Sequence, residues 1–118
     1  DWTSPIWGKS FAEMARGRTF IRYDERGCGL SDWEAEAFSF NAWVRDLETV
    51  VDTVGLDRFA LLGISQGGAV AIDYAVRHPK KVSQLVLYGS YAQGRLRRQL
   101  SEDEAASHQA LMTLARIG

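Results

Sequence analysis

Two stretches of the chain place apolar residues at intervals of three and four, the spacing of one face of a helix. The first is predicted to begin with Ser4 as the N-cap and Pro5 at the first helical position, and to end at Gly17. Its apolar positions are Ile6, Trp7, Phe11, Met14 and Ala15. The second is predicted to begin at Ser39 and end at Gly55, and its apolar stripe consists of Phe40, Trp43, Val44, Leu47, Val50, Val51 and Val54. We therefore predict two amphipathic helices.

Three shorter stretches are rich in apolar and β-branched residues without helical spacing, and each is predicted to form a strand. They are residues 19–23, 59–62 and 85–88. The last two are apolar at every position, which is typical of strands buried on both faces of a parallel sheet. Between them lies a helix of small residues that is expected to end near His78, because Pro79 follows. The strand–helix–strand order predicts a βαβ unit with parallel strands.

The remaining segments are polar. Residues 24–32 form a loop punctuated by glycine. Residues 101–104 read Ser-Glu-Asp-Glu, a capping box that predicts a polar helix through about residue 114.

Charge and composition narrow the range of functions. The 14 basic and 15 acidic residues nearly cancel, which argues against a surface that binds nucleic acid or another polyanion. No apolar run approaches the ~20 residues needed to cross a bilayer. The first residues lack the basic and apolar regions of a signal peptide. We therefore expect a cytoplasmic location and neither a membrane nor a nucleic acid as partner.

The chain offers no pattern for a metal or an organic cofactor. The acidic residues Asp32, Glu34 and Glu36 have no spaced histidine or cysteine beside them, so we predict no metal site there. The single cysteine, Cys28, excludes an intramolecular disulfide and is expected to be an inert small side chain. We predict no cofactor.

The strongest chemical signal is a glycine-flanked serine. Residues 63–67, Gly-Ile-Ser-Gln-Gly, match the pattern G-x-S-x-G, with a predicted buried strand before it and a helix after it. In that setting Ser65 would sit on a sharp, strained turn with its hydroxyl raised off the sheet edge. The backbone N–H of Gln66, at the positive end of the following helix, could then stabilise an oxyanion. Gly63 and Gly67, followed by Gly68, are expected to let strand and helix backbones approach where side chains would collide.

At these residues the chain resembles the α/β-hydrolase superfamily, and the resemblance covers nearly all of it. Residues 24–31, Asp-Glu-Arg-Gly-Cys-Gly-Leu-Ser, are similar to the D-x-R-G-x-G-x-S segment that follows the fourth strand in many members. The glycine-flanked serine corresponds to the turn after the fifth strand, and residues 85–88 to the sixth strand. Residues 22–33 are similar to hydrolase-like domains joined to bacterial helix-turn-helix regulators or nucleotide cyclases.

The resemblance implies an α/β fold. We expect residues 1–91 to form the central part of an α/β-hydrolase core, with parallel strands and flanking helices, and residues 92–118 to form the start of a helical cap. Several residues of the 24–31 loop are expected to hold the loop in shape rather than take part in chemistry. They are Asp24, Arg26, Gly27, Gly29 and Ser31.

The resemblance also implies that part of the catalytic machinery lies elsewhere. In this superfamily an acid and a histidine follow the serine in the chain, beyond the cap. His78 is predicted at the far end of the helix that follows Ser65. His108 is predicted on the polar terminal helix, where we expect it to be solvated; the alternative is that the cap folds over the site and His108 is the base. We therefore expect a fragment that is inactive in isolation and that self-associates through uncovered sheet edges.

Two functions from different classes follow. The first is a fragment of a serine-nucleophile hydrolase in which Ser65 attacks a small-molecule ester, thioester or lactone and forms an acyl-enzyme. The alternative is a non-catalytic hydrolase-like sensor or interaction domain of a regulatory protein, in which the same turn shapes a ligand pocket.

Overall fold

The computed structural model describes residues 3–35, 37–92 and 102–117. The chain forms two compact units, Asp1–Val50 and Val51–Gly118. In chain order the elements are α1 Gly8–Ala15, α2 Phe40–Val54, β1 Phe59–Ile64, α3 Gly67–Arg77, β2 Val82–Tyr88 and α4 Glu102–Ile117.

Ser4 makes capping hydrogen bonds just before the first helix. Its Oγ accepts hydrogen bonds from the backbone N–H groups of Ile6 and Trp7, at 3.3 and 3.2 Å. Its carbonyl oxygen accepts a hydrogen bond from the N–H of Gly8 at 2.9 Å, and the regular helix α1 begins there. The predicted helix is confirmed, but it begins at Gly8 rather than at Pro5, and its N-cap residue is Trp7, which makes no side-chain capping hydrogen bond. Ser4 caps the turn of residues 5–7 that leads into α1.

The predicted strand over residues 19–23 is wrong for the described chain, in which this segment is neither helix nor strand. A strand exists only where a neighbour completes its ladder of hydrogen bonds. The part of the chain described here offers no such neighbour, since its sheet contains two strands, β1 and β2.

The helix α2 begins and ends at the predicted residues. Ser39 Oγ accepts the N–H of Ala42 at 3.1 Å, which is an N-cap contact. At the other end Gly55 has a φ of +75°, and the N–H of Leu56 donates to the carbonyl of Val51 at 3.1 Å. This is the Schellman arrangement that glycine favours. The middle of the predicted apolar stripe is buried, at Val44, Leu47 and Val51.

The second unit is built on the predicted βαβ arrangement. The strands β1 and β2 are parallel, with Phe59 opposite Val82, Leu61 opposite Leu85 and Ile64 opposite Tyr88. The helix α3 packs against one face of this pair, where the rings of Phe59 and Tyr74 lie 6.0 Å apart. The buried core of this unit consists of Val51, Val70, Ala71 and Tyr74.

The prediction that both strands are covered on both faces is not met by the described residues. In β2 the side chain of Val86 is 52% exposed and that of Tyr88 is 62% exposed. The physical reason is that α3 lies along one face only and that a sheet of two strands leaves each with an unpaired edge. The parallel pairing of the two strands is confirmed.

The predicted terminal helix is present as α4, which extends slightly further than expected. Ser101 of the capping box and residues 93–100 lie outside the described residues, so the boundary of the cap at residue 92 stays a prediction. Within the described ranges, no helix combines the length and the apolar character that a membrane span requires.

Candidate active site

Among the described residues, the turn between β1 and α3 has the most unusual backbone. β1 ends at Ile64 and α3 begins at Gly67, so only two residues connect them. One of these, Ser65, has a φ of +52°, and it is the only described residue other than glycine with a positive φ. This conformation costs an L-residue roughly 1–2 kcal/mol. Surrounding contacts must therefore hold the backbone in place.

Those contacts are backbone hydrogen bonds on both sides of Ser65. Its N–H donates to the carbonyl of Tyr88 at 2.9 Å, which ties the turn to the end of β2. Its carbonyl accepts the N–H of Gly68 at 3.1 Å, which ties the turn to the start of α3. The Ser65 residue is exposed, and its hydroxyl forms no hydrogen bond with the described part of the chain. The serine is thus fixed through its backbone while its side chain is accessible.

Two glycines make the close approach of strand and helix possible. A Cβ at Gly63 would lie 2.7 Å from the Cα of Gly68 and 2.9 Å from the Cβ of Ala71. A Cβ at Gly68 would overlap the side chain of Ser90. A Cβ at Gly67 would have no described atom within 4 Å, so the expected collision there is wrong. Gly68 faces β2 and Gly67 does not, because successive helical residues point in different directions.

The backbone N–H of Gln66 is available to a ligand. Gln66 is the N-cap residue of α3, with φ −58° and ψ −37°. No acceptor among the residues described takes its N–H. The N-terminus of a helix carries a partial positive charge that favours an anion. An exposed hydroxyl followed by a free N–H at such a terminus is suited to attack a carbonyl group and to stabilise the oxyanion that forms.

Ser90 is a further residue of this site that no sequence motif indicates. It follows β2, and its Oγ lies 2.9 Å from the carbonyl oxygen of Ser65. A lone serine after a strand matches no motif, so only the folded arrangement of β1 and β2 reveals the contact.

The described structure places His78 far from Ser65. His78 is the C-cap residue of α3, and its N–H donates to the carbonyl of Tyr74 at 2.8 Å. Its ring packs on the ring of Tyr74 at 4.6 Å. Since α3 is 11 residues long, His78 lies about 16 Å along the helix from the serine turn. This confirms the predicted position of His78, whereas the side chain of His108 lies outside what is described.

In the first unit, the 24–31 loop is held by its own side chains, as predicted. Asp24 Oδ2 accepts the N–H of Leu30 at 3.0 Å, and Ser31 Oγ donates to the Asp24 carbonyl at 2.6 Å. Gly29 has a φ of +53°, and a Cβ there would overlap the carboxylate of Asp24. The N–H of Gly27 donates to the carbonyl of Asp32 at 2.9 Å. These contacts hold the loop in shape.

Arg26 ties this loop to α2. Its Nε and Nη2 donate to the two carboxylate oxygens of Asp46 at 2.8 and 2.5 Å, and its Nη1 donates to the carbonyl of Ala37 at 2.9 Å. The hydrogen bonds from Arg26 lower the pKa of Asp46 below its ordinary value. Burial, with the charges of Glu25 and Asp46, raises the pKa of the neighbouring Tyr23 to about 12. The predicted ion pairing of Arg26 is confirmed, and the structure identifies its partner.

No group of metal-binding side chains is found among the residues that the structure covers.

Known proteins show the same architecture. Residues 2–115 match the family model described as alpha/beta hydrolase fold. A proline iminopeptidase from Lactobacillus delbrueckii subsp. lactis is 42% identical over an 85-residue alignment, with 68% of this chain and 29% of that protein covered.

Two solved structures are similar as well. A meta-cleavage product hydrolase from Pseudomonas fluorescens has a TM-score of 0.67 and 26% identity, over 71% of this chain and 31% of that one. An esterase from Exiguobacterium antarcticum has a TM-score of 0.56 and 31% identity, over 71% of this chain and 34% of that one.

The 118 residues span about a third of the length of these relatives. The family model, by contrast, matches nearly the whole chain. The parallel β1–α3–β2 unit is therefore part of a known fold, and the chain belongs to the α/β-hydrolase family.

Proposed function

We propose that residues 1–118 are a central segment of a serine hydrolase, in which Ser65 is the nucleophile. The observation that carries the proposal is the backbone of Ser65, which is held at a φ of +52° between β1 and α3 with its side chain exposed. Strained backbone that is tied down on both sides is typical of functional positions. The family membership supports the same interpretation.

In the proposed reaction, Ser65 Oγ attacks the carbonyl carbon of a small ester, thioester or lactone. A base outside these residues takes the hydroxyl proton, and the carbonyl π electrons move to oxygen. The N–H of Gln66 donates to the resulting oxyanion. Collapse of this intermediate expels the alcohol or thiol, which receives the proton, and leaves an acyl group on Ser65. Water then releases the acid and restores the serine.

The choice of an ester-type substrate rests on the comparison with known proteins. One similar structure is named an esterase, and the other relatives described above are named as an iminopeptidase and a hydrolase. All three names denote hydrolytic enzymes. An ester of a good leaving group is therefore the first substrate to test.

The test uses the full-length protein and the hydrolysis of p-nitrophenyl acetate. We expect Ser65→Ala to reduce kcat by roughly 10⁴-fold or more, because the acyl intermediate of the proposed reaction forms on Ser65 Oγ. Ser83→Ala is the matched control, since Ser83 is an exposed serine of β2 away from the turn. It should retain wild-type rates.

Two results would contradict the proposal. One is full activity in Ser65→Ala. The other is the absence of hydrolysis across a panel of esters, thioesters and lactones by the wild-type protein, which would favour the non-catalytic sensor domain. In that case, binding of a small molecule without turnover is the expected behaviour.

A further inference from the structure

The hydroxyl of Ser90 lies against the backbone of the serine turn. Its Oγ is 2.9 Å from the carbonyl oxygen of Ser65, 3.2 Å from that of Tyr88 and 3.4 Å from that of Gly63. A hydroxyl has one proton to donate. The shortest of the three contacts is to Ser65, so the hydroxyl donates its proton there.

The acceptor of this hydrogen bond belongs to the peptide unit that also carries the N–H of Gln66. A peptide unit is planar and trans, so its C=O and N–H point in opposite directions. A hydrogen bond that fixes the direction of the Ser65 carbonyl therefore fixes the direction of the Gln66 N–H as well. It also polarises the unit, which makes the N–H a stronger donor.

The space for Ser90 is provided by α3. A Cβ at Gly68 would overlap Oγ and Cβ of Ser90, so any other residue at position 68 would displace that side chain. The N–H of Gly68 is the second donor to the Ser65 carbonyl, at 3.1 Å. Gly68, in α3, and Ser90, after the end of β2, thus both donate hydrogen bonds to the Ser65 carbonyl oxygen.

We propose that Ser90 is a positioning residue that orients the Gln66 N–H toward the oxyanion. This rests on the proposed function, since the N–H has a catalytic role only if Ser65 is the nucleophile. Ser90 does not touch the substrate in this account. It acts through the peptide unit between Ser65 and Gln66.

The kinetic test compares Ser90→Ala with Ser83→Ala in the full-length protein. Removing an oxyanion donor outright costs about 10²–10³ in kcat, so misorienting one is expected to cost roughly 10-fold. KM should stay at the wild-type value, because the N–H acts on the transition state. Ser90→Thr keeps the hydroxyl and should recover most of kcat. Equal kcat in Ser90→Ala and Ser83→Ala would overturn the proposal while leaving Ser65 as the nucleophile.

A second readout does not depend on activity. In the NMR spectrum of the full-length protein, Ser90→Ala should move the Ser65 carbonyl ¹³C and Gln66 amide ¹⁵N resonances upfield, since the carbonyl loses a hydrogen bond. Ser83→Ala and Ser90→Thr should leave them in place. Unchanged resonances in Ser90→Ala would overturn the role of Ser90. An inactive wild-type protein with shifted resonances would overturn the proposed function, and with it the catalytic role of Ser90, while leaving the contact between Ser90 and the serine turn in place.

Discussion

Ser65 combines an unfavourable backbone conformation with an exposed side chain. Substitutions at this position can measure the cost of the backbone conformation separately from the role of the hydroxyl. Glycine at this position would remove the steric cost of a positive φ. Part of that gain is offset because glycine has more freedom in the unfolded chain. We expect Ser65→Gly to raise the free energy of unfolding by about 0.5–1 kcal/mol, as measured by urea denaturation.

Ser65→Ala is the control for this prediction, because alanine keeps the Cβ that is strained at a φ of +52°. Its stability should equal that of the wild-type protein. If the alanine and glycine variants were equally stable, the backbone of residue 65 would not be strained. Keeping a serine at position 65 would then cost the fold no stability, which would contradict the steric strain proposed for this residue.

Alanine substitutions at the three glycines around the turn are expected to change the stability of the protein by different amounts. Gly63→Ala and Gly68→Ala place a methyl group against Ala71 and Ser90, and overpacking of this kind typically costs about 1–3 kcal/mol. Gly67→Ala meets open space and should be neutral or slightly stabilising, since alanine favours a helix. Thermal unfolding of the three variants measures this order. A Gly67→Ala variant as unstable as the other two would contradict it.

At the scale of elements, the Arg26–Asp46 pair connects the 24–31 loop to α2, and its contribution depends on pH. Arg26 lowers the pKa of Asp46 below the ordinary value of 3.8. The folded state therefore holds the Asp46 proton less tightly than the unfolded chain does. The stability supplied by the pair is complete above about pH 4, and it is lost as the pH falls through the lowered pKa.

The variant Asp46→Asn measures this contribution. It cannot ionise, so the difference in unfolding free energy between it and the wild-type protein should be largest at neutral pH. That difference should shrink as the pH falls below about 4 in a urea denaturation series. Asp57→Asn makes the same substitution at an exposed position and controls for the general effect of removing a negative charge. A difference between the wild-type protein and Asp46→Asn that is constant with pH would show that the pair is not formed.

The sequence predicted those elements whose signals are local. Ser4 and Ser39 were identified as caps, and Gly55 as a helix end, because each acts through hydrogen bonds within a few residues. The strands β1 and β2 and the serine turn between them were also predicted, since their apolar runs and glycines are contiguous.

Features that depend on distant partners were predicted poorly. Residues 19–23 have the composition of a strand, but no described neighbour pairs with them. The partner of Arg26 lies 20 positions away, and Ser90 lies 25 positions from Ser65, so no sequence pattern connects them. The close approach to β2 is made by Gly68 and not by Gly67, because Gly68 is the residue of α3 that faces β2. Contacts of this kind arise only when the elements pack.

At the scale of the whole molecule, the sheet of the second unit has an exposed apolar surface. Val86 and Tyr88 on β2 are more than half exposed, and Leu85 and Leu87 are also exposed. Unpaired strand edges and apolar patches of this kind promote association. We expect the isolated 118-residue chain to self-associate at micromolar concentration, as measured by sedimentation velocity.

The variant Val86→Lys places a charge on this surface and should shift the chain toward monomer. Ala106→Lys adds the same charge to an exposed position of α4 and should leave the association unchanged. A wild-type chain that sediments as a monomer would refute the prediction.

The central claim is that Ser65 is the nucleophile of the complete enzyme, and covalent capture tests it most directly. The full-length protein is treated with a fluorophosphonate, digested and analysed by mass spectrometry. We expect one phosphonylated peptide, with the modification on Ser65, and loss of esterase activity in proportion to its yield. Modification of a different residue in step with the loss of activity would contradict it.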